Sequence, residues 1–150
     1  SLRGFGGDEM QQAGVEITVH YRELAFMGFV SLATSLYKIF GFLSRCKQDM
    51  LQFKPDAVIL IDYGGFNLRI AKFARSHGLK VFYYIPPKVW AWNQSRAWKL
   101  KANVDHIFSI LPFEMAFYKQ YDLQAEYVGN PVLDAIKAHK RDNSFLENHG

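Results

Sequence analysis

The sequence contains a single cysteine, Cys46, among its 150 residues. One cysteine excludes an intramolecular disulfide and a metal site built from several cysteines, and it fits a reducing compartment. No apolar run approaches the ~20 residues that a membrane-spanning helix needs, and no secretory-signal pattern opens the chain. Charged residues make up 21% of the chain and hydrophobic residues 49%, which excludes an intrinsically disordered protein.

Several enzyme motifs are also missing. The five histidines show no metal-ligand spacing, and neither a P-loop nor a G-x-S-x-G motif occurs, so no metal site is predicted. The glycine-rich stretch Gly4-Phe5-Gly6-Gly7 departs from the dinucleotide pattern G-x-G-x-x-G, because Glu9 stands where the third glycine belongs. We interpret this stretch as a turn.

The apolar residues that are present follow a strand-then-helix rhythm. Strands are predicted at 15–21, 57–62, 80–85, 106–111 and 125–128, and helices at about 68–74, 94–102, 112–121 and 132–140, followed by a frayed tail at 141–150. Pro112 is expected in the first turn of its helix. Strands that alternate with helices favour parallel pairing through right-handed crossovers. The predicted fold class is therefore α/β, with a Rossmann-like, doubly wound, mostly parallel sheet.

Sheets of this kind bind ligands beyond the carboxyl ends of their strands. That rule marks the segments 62–67, 86–93, 111–114 and 129–131. In the first segment, Asp62 ends a buried strand, where a carboxylate can accept a proton from a sugar hydroxyl. The equally weighted alternative is that Asp62 caps the next helix. Asn67 carries a similar ambiguity between a ligand contact and a structural role.

The second segment holds all three tryptophans in a proline-rich loop with several cations. Trp90 and Trp92 offer flat apolar faces to a sugar, a base or an acyl chain, and Arg96 and Lys99 suit a phosphate. The alternative makes the tryptophans core anchors and the cations a solvated helix face. Because functional groups concentrate on such loops, we favour a binding role.

The last two segments carry weaker signals. Glu114 lies in the first turn of a helix, where the dipole favours an acid. It would hold a ligand hydroxyl if it were buried and faced the cleft. Asn130 lies at the last strand-to-helix turn, between Gly129 and Pro131.

The stretch 24–51 has helical spacing. One apolar stripe, predicted to be buried, consists of Leu32, Leu36, Ile39, Phe40 and Leu43. A second set lies off that stripe, flanked by cations, and consists of Met27, Phe29, Tyr37 and Phe42. This second set either dips into an anionic membrane surface or is buried on another side of the helix.

These motifs, in this order, resemble the lipid-A-disaccharide synthase family of bacterial glycosyltransferases. The resemblance covers nearly the whole chain up to about residue 140, and its most specific part is the block Val89-Trp90-Ala91-Trp92. The other matching segments are Gly6-Gly7 with Met10, Glu23-Leu24-Ala25 with Met27-Gly28, Ile61-Asp62 with Phe66-Asn67, Leu111-Pro112-Phe113-Glu114, and Val128-Gly129-Asn130-Pro131.

The resemblance implies an inverting transfer of 2,3-diacylglucosamine from UDP to the 6-hydroxyl of 2,3-diacylglucosamine 1-phosphate, with release of UDP. No cofactor is implied, since the UDP-sugar is a substrate. The implied location is the cytoplasmic face of the inner membrane, because both substrates carry acyl chains. Asp62 and Asn67 would lie in the acceptor cleft, Trp90 and Trp92 would form its wall, and Asp62 would be the base.

The resemblance also implies a two-domain, GT-B type fold. Residues 1–140 would be the incomplete amino-terminal, acceptor-side domain, and the nucleotide-binding carboxyl-terminal domain would be absent. The chain alone is therefore expected to be inactive. The strand at 15–21 and the strand at 57–62 are expected either to pair directly or to have their edges covered by a second copy in a homodimer.

This chain departs from the family pattern at two positions. The family often reads Ile-Asp-Ala-Pro-Asp-Phe-Asn, and Gly65 stands at its second Asp; a histidine is frequent where this chain has Asn130.

A net charge of +4 and a pI near 9.2 keep one other function open. The tryptophan-bearing loop would suit a module that binds nucleic acid or an acidic membrane. Nucleic acid is not the expected partner, because the cations are spread along the chain and no nucleic-acid motif occurs. Another sugar-nucleotide enzyme of the same fold also fits the pattern, since fold does not determine substrate.

Overall fold

The computed structural model describes residues 1–25, 32–92 and 94–139. The chain divides into two compact units, Ser1–Asp56 and Ala57–Gly150. Each unit is described by itself.

The first unit contains a parallel pair of strands with helices between and after them. Its elements are β1 (Leu2–Gly6), α1 (Asp8–Gln12), β2 (Val15–His20), α2 (Tyr21–Ala25) and α3 (Leu32–Phe53). β1 and β2 pair in parallel from Leu2 opposite Val15 to Gly6 opposite His20, with a register shift between Gly4 and Phe5. The alternation that predicts β2 is confirmed, and Val19 on its inner face is fully buried.

Two expectations for this unit are wrong. The glycine-rich stretch at 4–7 lies mostly in strand β1 and is not a turn. Of the two options for the strand at 15–21, direct pairing with the strand at 57–62 is wrong, because β2 pairs with β1 and the two predicted strands belong to different sheets; the other option, edges covered by a second copy, stays a prediction. Both errors have the same cause. Glycine has a low strand propensity, so the pattern of residues 2–6 does not predict strand β1.

Helix α3 departs in part from the predicted stripe. Leu43 is buried, as expected, but Phe40 of the predicted buried stripe is 57% exposed. Tyr37, predicted to lie off that stripe, is 83% exposed. Phe42 is half-buried. The predicted membrane-facing residues Met27 and Phe29 lie outside the described residues. Within the described ranges, no helix combines the length and the apolar content needed to span a bilayer.

The second unit is a four-stranded parallel sheet in the order β3-β4-β5-β6. The strands are β3 (Ala57–Ile61), β4 (Lys80–Tyr84), β5 (His106–Ser109) and β6 (Ala125–Tyr127). The helices are α4 (Gly64–Ser76), α5 (Val89–Trp92), α6 (Ser95–Asn103), α7 (Glu114–Gln120) and α8 (Pro131–Ala138). The predicted α/β class with parallel strands is thus confirmed, and Gly78 ends α4 with the expected positive φ of 75°.

One face of this sheet forms the core. Alternate strand residues are fully or nearly fully buried, namely Leu60, Val81, Tyr83 and Ile107, and they pack with Ile70 and Ala74 of α4 among the buried residues. Ile59 and Ile61, which point to the other face of β3, are 61% and 46% exposed. Pro112 precedes α7 and does not lie in its first turn, because the helix begins at Glu114.

Asp105, just before β5, connects neighbouring elements at the end of the sheet where the strands begin. Its carboxylate accepts the Val81 backbone N–H at 2.8 Å and pairs with Arg75 Nη1 at 2.8 Å and with Lys80 Nζ at 3.7 Å. Partial burial acts to raise the pKa of Asp105, but the hydrogen bonds from Val81 and Arg75 and the nearby charges outweigh it and lower that pKa. This carboxylate therefore fixes the register between β4 and β5.

We predict that Asp105→Asn lowers the free energy of unfolding by about 1 kcal/mol at pH 7. A pKa depressed in the folded state adds stability above the unfolded pKa of ~3.9 and loses it as pH falls through the folded value. The difference between the variant and the wild type should therefore be smaller at pH 3 than at pH 7. Urea denaturation at pH 7 and pH 3 measures it, with the exposed Asp56→Asn as control. Equal stability at pH 7 would remove Asp105 from this role.

Candidate active site

The four loops that follow the strands of the second unit lie along one edge of its sheet. β3, β4, β5 and β6 are all parallel and adjacent in chain order, so their carboxyl ends meet at the same edge. The predicted ligand segments at 62–67, 86–93, 111–114 and 129–131 are these loops. The prediction that these four segments share one edge of the sheet is therefore confirmed, and this is the edge where such sheets bind ligands.

The loop after β3 has an uncommon backbone. Asp62 and Tyr63 both adopt left-handed conformations, with φ values of 48° and 46°. Two successive non-glycine residues in this region cost roughly 1–3 kcal/mol each and persist only where the surroundings enforce them. Such strain is concentrated at functional sites.

The surroundings that enforce it are two buried side chains. Asn67 Nδ2 donates hydrogen bonds to the Asp62 carbonyl at 2.7 Å and to the Ile61 carbonyl at 3.0 Å. The Tyr83 hydroxyl donates to the same Asp62 carbonyl at 2.8 Å. Burial raises the pKa of Tyr83, so its hydroxyl keeps the proton that it donates. We refer to Asn67 and Tyr83 with the Asp62 carbonyl as the Asp62 clamp.

Among the described residues, the Asp62 carboxylate makes no contact that would give it a structural role. The N-cap of α4 is Tyr63, and no side chain provides a capping hydrogen bond there, so the alternative that Asp62 caps this helix is wrong. The residue is exposed. Within the part of the chain that the structure describes, no donor or cation engages its side-chain oxygens. Asp62 therefore presents an accessible carboxylate on a rigid, strained support.

The two glycines after Tyr63 have different roles. A Cβ added at Gly64 would lie 2.8 Å from the Cβ of Pro87, so this glycine lets the first and second loops approach closely. A Cβ at Gly65 would meet nothing within 4 Å. The structure therefore has room for a side chain at position 65.

The tryptophan-bearing loop, which follows β4, is bonded through its side chains to the loop that follows β5. Its backbone turns at Ile85, which has a φ of 54°, and continues through the fully buried Pro86 into the short helix α5. Trp90 Nε1 donates to Glu114 Oε1 at 2.7 Å, and the Trp90 ring meets Phe113 edge to face at 5.0 Å. The indole therefore has a fixed orientation at the sheet edge and is half-buried.

Glu114 is fully buried, and both carboxylate oxygens are engaged. Besides Trp90, Oε1 lies 3.3 Å from Lys88 Nζ, and Oε2 accepts a hydrogen bond from the Ser109 hydroxyl. Ser109 is itself fully buried at the end of β5. These four residues, Lys88, Trp90, Ser109 and Glu114, form what we call the Glu114 network.

The remaining predicted residues lie apart from these two groups. Arg96 and Lys99 lie three residues apart on α6, so they share one flank of that helix. Asn130 is the N-cap of α8, and its Oδ1 accepts the Val132 N–H at 3.0 Å. The backbone of Trp92 lies in α5, but its side chain lies outside what is described. Within residues 1–25, 32–92 and 94–139, no cluster of three or more His, Cys, Asp or Glu side chains forms a metal site.

Sequence reasoning missed Tyr83, Ser109 and Lys88. Tyr83 sits in a strand that reads as plain core, and only its hydroxyl distinguishes it from phenylalanine. Ser109 is a polar residue at the end of an apolar strand, which is a usable signal, because buried polar groups need partners. Lys88 stands beside two prolines in the tryptophan loop but was not singled out among several cations.

Comparison with known proteins gives a consistent result. The sequence matches the family model described as "Lipid-A-disaccharide synthetase" over residues 1–149. Similar curated proteins are the lipid-A-disaccharide synthases of Trichlorobacter lovleyi, 42% identical over 137 residues, Syntrophus aciditrophicus, 39% identical over 147 residues, and Nitrosococcus oceani, 37% identical over 147 residues. These alignments cover 91–98% of this chain but only 36–38% of each relative.

We predict opposite effects for alanine at the two neighbouring glycines. Gly64→Ala forces a Cβ against Pro87 and should destabilise the chain by about 1–3 kcal/mol, the usual cost of overpacking. Gly65→Ala has open space and should be neutral, or stabilising by up to about 1 kcal/mol, because alanine is the better helix former. Urea denaturation of both variants measures the difference. Equal midpoints would show that the contact between the two loops does not constrain the site.

Proposed function

Since the chain belongs to the lipid-A-disaccharide synthase family, we propose that it forms the acceptor side of an inverting glycosyltransferase. The reaction is the transfer of 2,3-diacylglucosamine from UDP to the 6-hydroxyl of 2,3-diacylglucosamine 1-phosphate. The chain spans little more than a third of the length of its curated relatives. The proposed activity therefore belongs to the full-length protein, with the UDP group held outside this chain and the chain alone inactive.

The observation that carries this proposal is the Asp62 carboxylate. It is exposed at the carboxyl edge of a parallel sheet. Its backbone is fixed by two hydrogen bonds to its carbonyl, at 2.7 and 2.8 Å. A general base must be held in position and must keep its oxygens available to a substrate proton, and Asp62 meets both conditions.

In the proposed step, Asp62 accepts the proton of the acceptor 6-hydroxyl as that oxygen forms a bond to the anomeric carbon of the donor. The bond between that carbon and the UDP oxygen breaks, and UDP leaves with the bonding electrons. Because attack and departure occur on opposite faces of the sugar, the anomeric configuration inverts. The negative charge that Asp62 held passes to the departing UDP, and the proton stays on Asp62.

The other residues have supporting roles in this proposal. Trp90, held by Glu114 at 2.7 Å, provides a wall for the acceptor sugar or its acyl chains, together with Trp92. Arg96 and Lys99 supply positive charge for the acceptor phosphate. Asn67 acts through the Asp62 backbone, since it is buried and its Nδ2 donates to carbonyls. Asn130 lies at the same edge and shapes the turn after β6.

We also propose a peripheral location on the cytoplasmic face of the inner membrane, because both substrates are acylated. Tyr37 and Phe40 support it, since they lie three residues apart on α3 and are 83% and 57% exposed. Co-sedimentation with anionic vesicles tests this location: loss of binding on Tyr37→Ser supports it, and unchanged binding counts against this helix face.

We predict that Asp62→Asn in the full-length protein lowers kcat by about 10²–10⁴-fold, the usual contribution of a general base, with little change in KM. Asparagine tolerates the left-handed backbone, so the loop should stay folded. Transfer from UDP-2,3-diacylglucosamine, followed by UDP release, measures this effect. The matched control is Asp134→Asn, an exposed carboxylate on α8.

Gly65→Asp is the informative second variant, because a side chain there has open space. If Asp62 is the base, adding a carboxylate at position 65 should leave kcat within a few-fold of the wild type, and it should not rescue Asp62→Asn. Unchanged kcat in Asp62→Asn, or full rescue by Gly65→Asp, would contradict the assignment of Asp62.

A further inference from the structure

We infer that Glu114 is a positioning residue: paired with Lys88 and Ser109, it fixes the Trp90 indole as the acceptor-side wall and does not itself touch substrate. This inference rests on the proposed function for the meaning of the wall. The structural part of the inference is that a carboxylate orients one indole. This part depends only on the contacts of the Glu114 network.

The contacts come from three different elements of the fold. Trp90 and Lys88 follow β4, Ser109 ends β5, and Glu114 opens α7. Trp90 Nε1 and Lys88 Nζ approach Oε1 at 2.7 and 3.3 Å, and the Ser109 hydroxyl donates to Oε2. A single carboxylate thus joins the second and third loops of the candidate site.

Burial shows that this carboxylate has a role beyond helix capping. Glu114 is 0% exposed, and an acid can interact favourably with the helix dipole without being fully buried. A buried ion costs several kcal/mol unless a charge and hydrogen bonds compensate it, and well-packed apolar residues would often be at least as stable. The network therefore carries an energetic cost that packing alone does not require, which is typical of a group retained for orientation.

Lys88 provides the positive charge that compensates the buried Glu114 carboxylate. Its side chain is 33% exposed, and among the described residues its Nζ makes the ion pair with Glu114 but no hydrogen bond. A nearby cation offsets part of the cost of burying a carboxylate. A hydrogen bond from the indole to a carboxylate is stronger than one between two neutral groups. Lys88 therefore stabilises the orientation of Trp90 through Glu114.

The orientation matters because, among the described residues, the aromatic partner of the Trp90 ring is Phe113, which it meets edge to face at 5.0 Å. Phe113 is itself 55% exposed. Without the bond to Glu114, we expect the half-buried indole to lose its fixed orientation, and the wall to lose its defined face. The carboxylate is thus the constraint that makes a flat apolar surface available in one direction.

The first experiment needs no activity and uses the 150-residue chain. The indole N–H resonances of the three tryptophans are recorded after ¹⁵N labelling, and Trp90→Phe assigns the Trp90 signal. In Glu114→Gln, we expect the Trp90 indole proton to move upfield, because the charge-assisted hydrogen bond weakens. Glu126→Gln, an exposed carboxylate with a 63% accessible side chain, is the matched control and should leave the signal in place.

The second experiment uses the full-length protein. Glu114→Gln and Lys88→Met should each raise the acceptor KM roughly tenfold or more, the worth of a hydrogen bond to a charged group. Their kcat should change less. The charge-neutral double variant Lys88→Met with Glu114→Gln should be less impaired than the product of the single effects, since it leaves no unpaired buried ion. If a single variant does not fold, a comparison between the double variant, Lys88→Met with Glu114→Gln, and Trp90→Phe still tests the inference.

An unmoved Trp90 indole signal in Glu114→Gln would overturn the inference, as would single effects that simply multiply in the double variant. These outcomes are separable from failure of the proposed function. If Asp62→Asn retains full kcat while the indole signal still moves, Glu114 orients Trp90 but the reaction is misassigned. If Asp62→Asn loses kcat while the signal is unmoved, the reaction stands and the positioning role does not.

Discussion

The site depends on a single backbone carbonyl. The Asp62 carbonyl receives the amide of Asn67 and the hydroxyl of Tyr83, and these bonds hold Asp62 and Tyr63 in left-handed conformations. The same geometry sends the carboxylate outward and leaves the N-cap position to Tyr63. The close approach of Gly64 to Pro87 then places the tryptophan-bearing loop beside it. Strain at Asp62 and Tyr63 is thus the cost of an accessible carboxylate at the sheet edge.

Glu114 is a second acidic residue at this edge of the sheet, and its environment is the opposite of that of Asp62. Asp62 keeps its carboxylate exposed, whereas Glu114, two loops along the same edge, has its carboxylate fully buried against Lys88, Trp90 and Ser109. Two acids on one sheet edge therefore have different environments, one suited to proton transfer and the other to orientation. This division follows from local structure, because Asp62 directly follows β3, whereas Glu114 lies beyond the end of β5 at the first residue of α7.

Much of this arrangement could be predicted from the sequence. Apolar runs at 57–61 and 80–84 predict strands, and their alternation with helices predicts parallel pairing, which places Asp62, Trp90 and Glu114 at one edge. The burial of both faces that a continuous run predicts is wrong for β3, because Ile59 and Ile61 are exposed. Strand β1 could not be predicted, because its glycines carry no pattern. The partners of Asp62 and Glu114 were also beyond reach, since pairing between Asp62 and Tyr83, or between Glu114 and Lys88, depends on side-chain direction across neighbouring strands.

The most direct measurement of the central claim, that the clamp holds Asp62 as the base, is the steady-state kinetics of Tyr83→Phe in the full-length protein. This change removes one hydroxyl and leaves every carboxylate in place. If the clamp positions the base, kcat should fall roughly tenfold or more, the worth of one buried hydrogen bond at the reacting group, with acceptor KM nearly constant. A variant that loses stability but keeps its kcat would contradict the account.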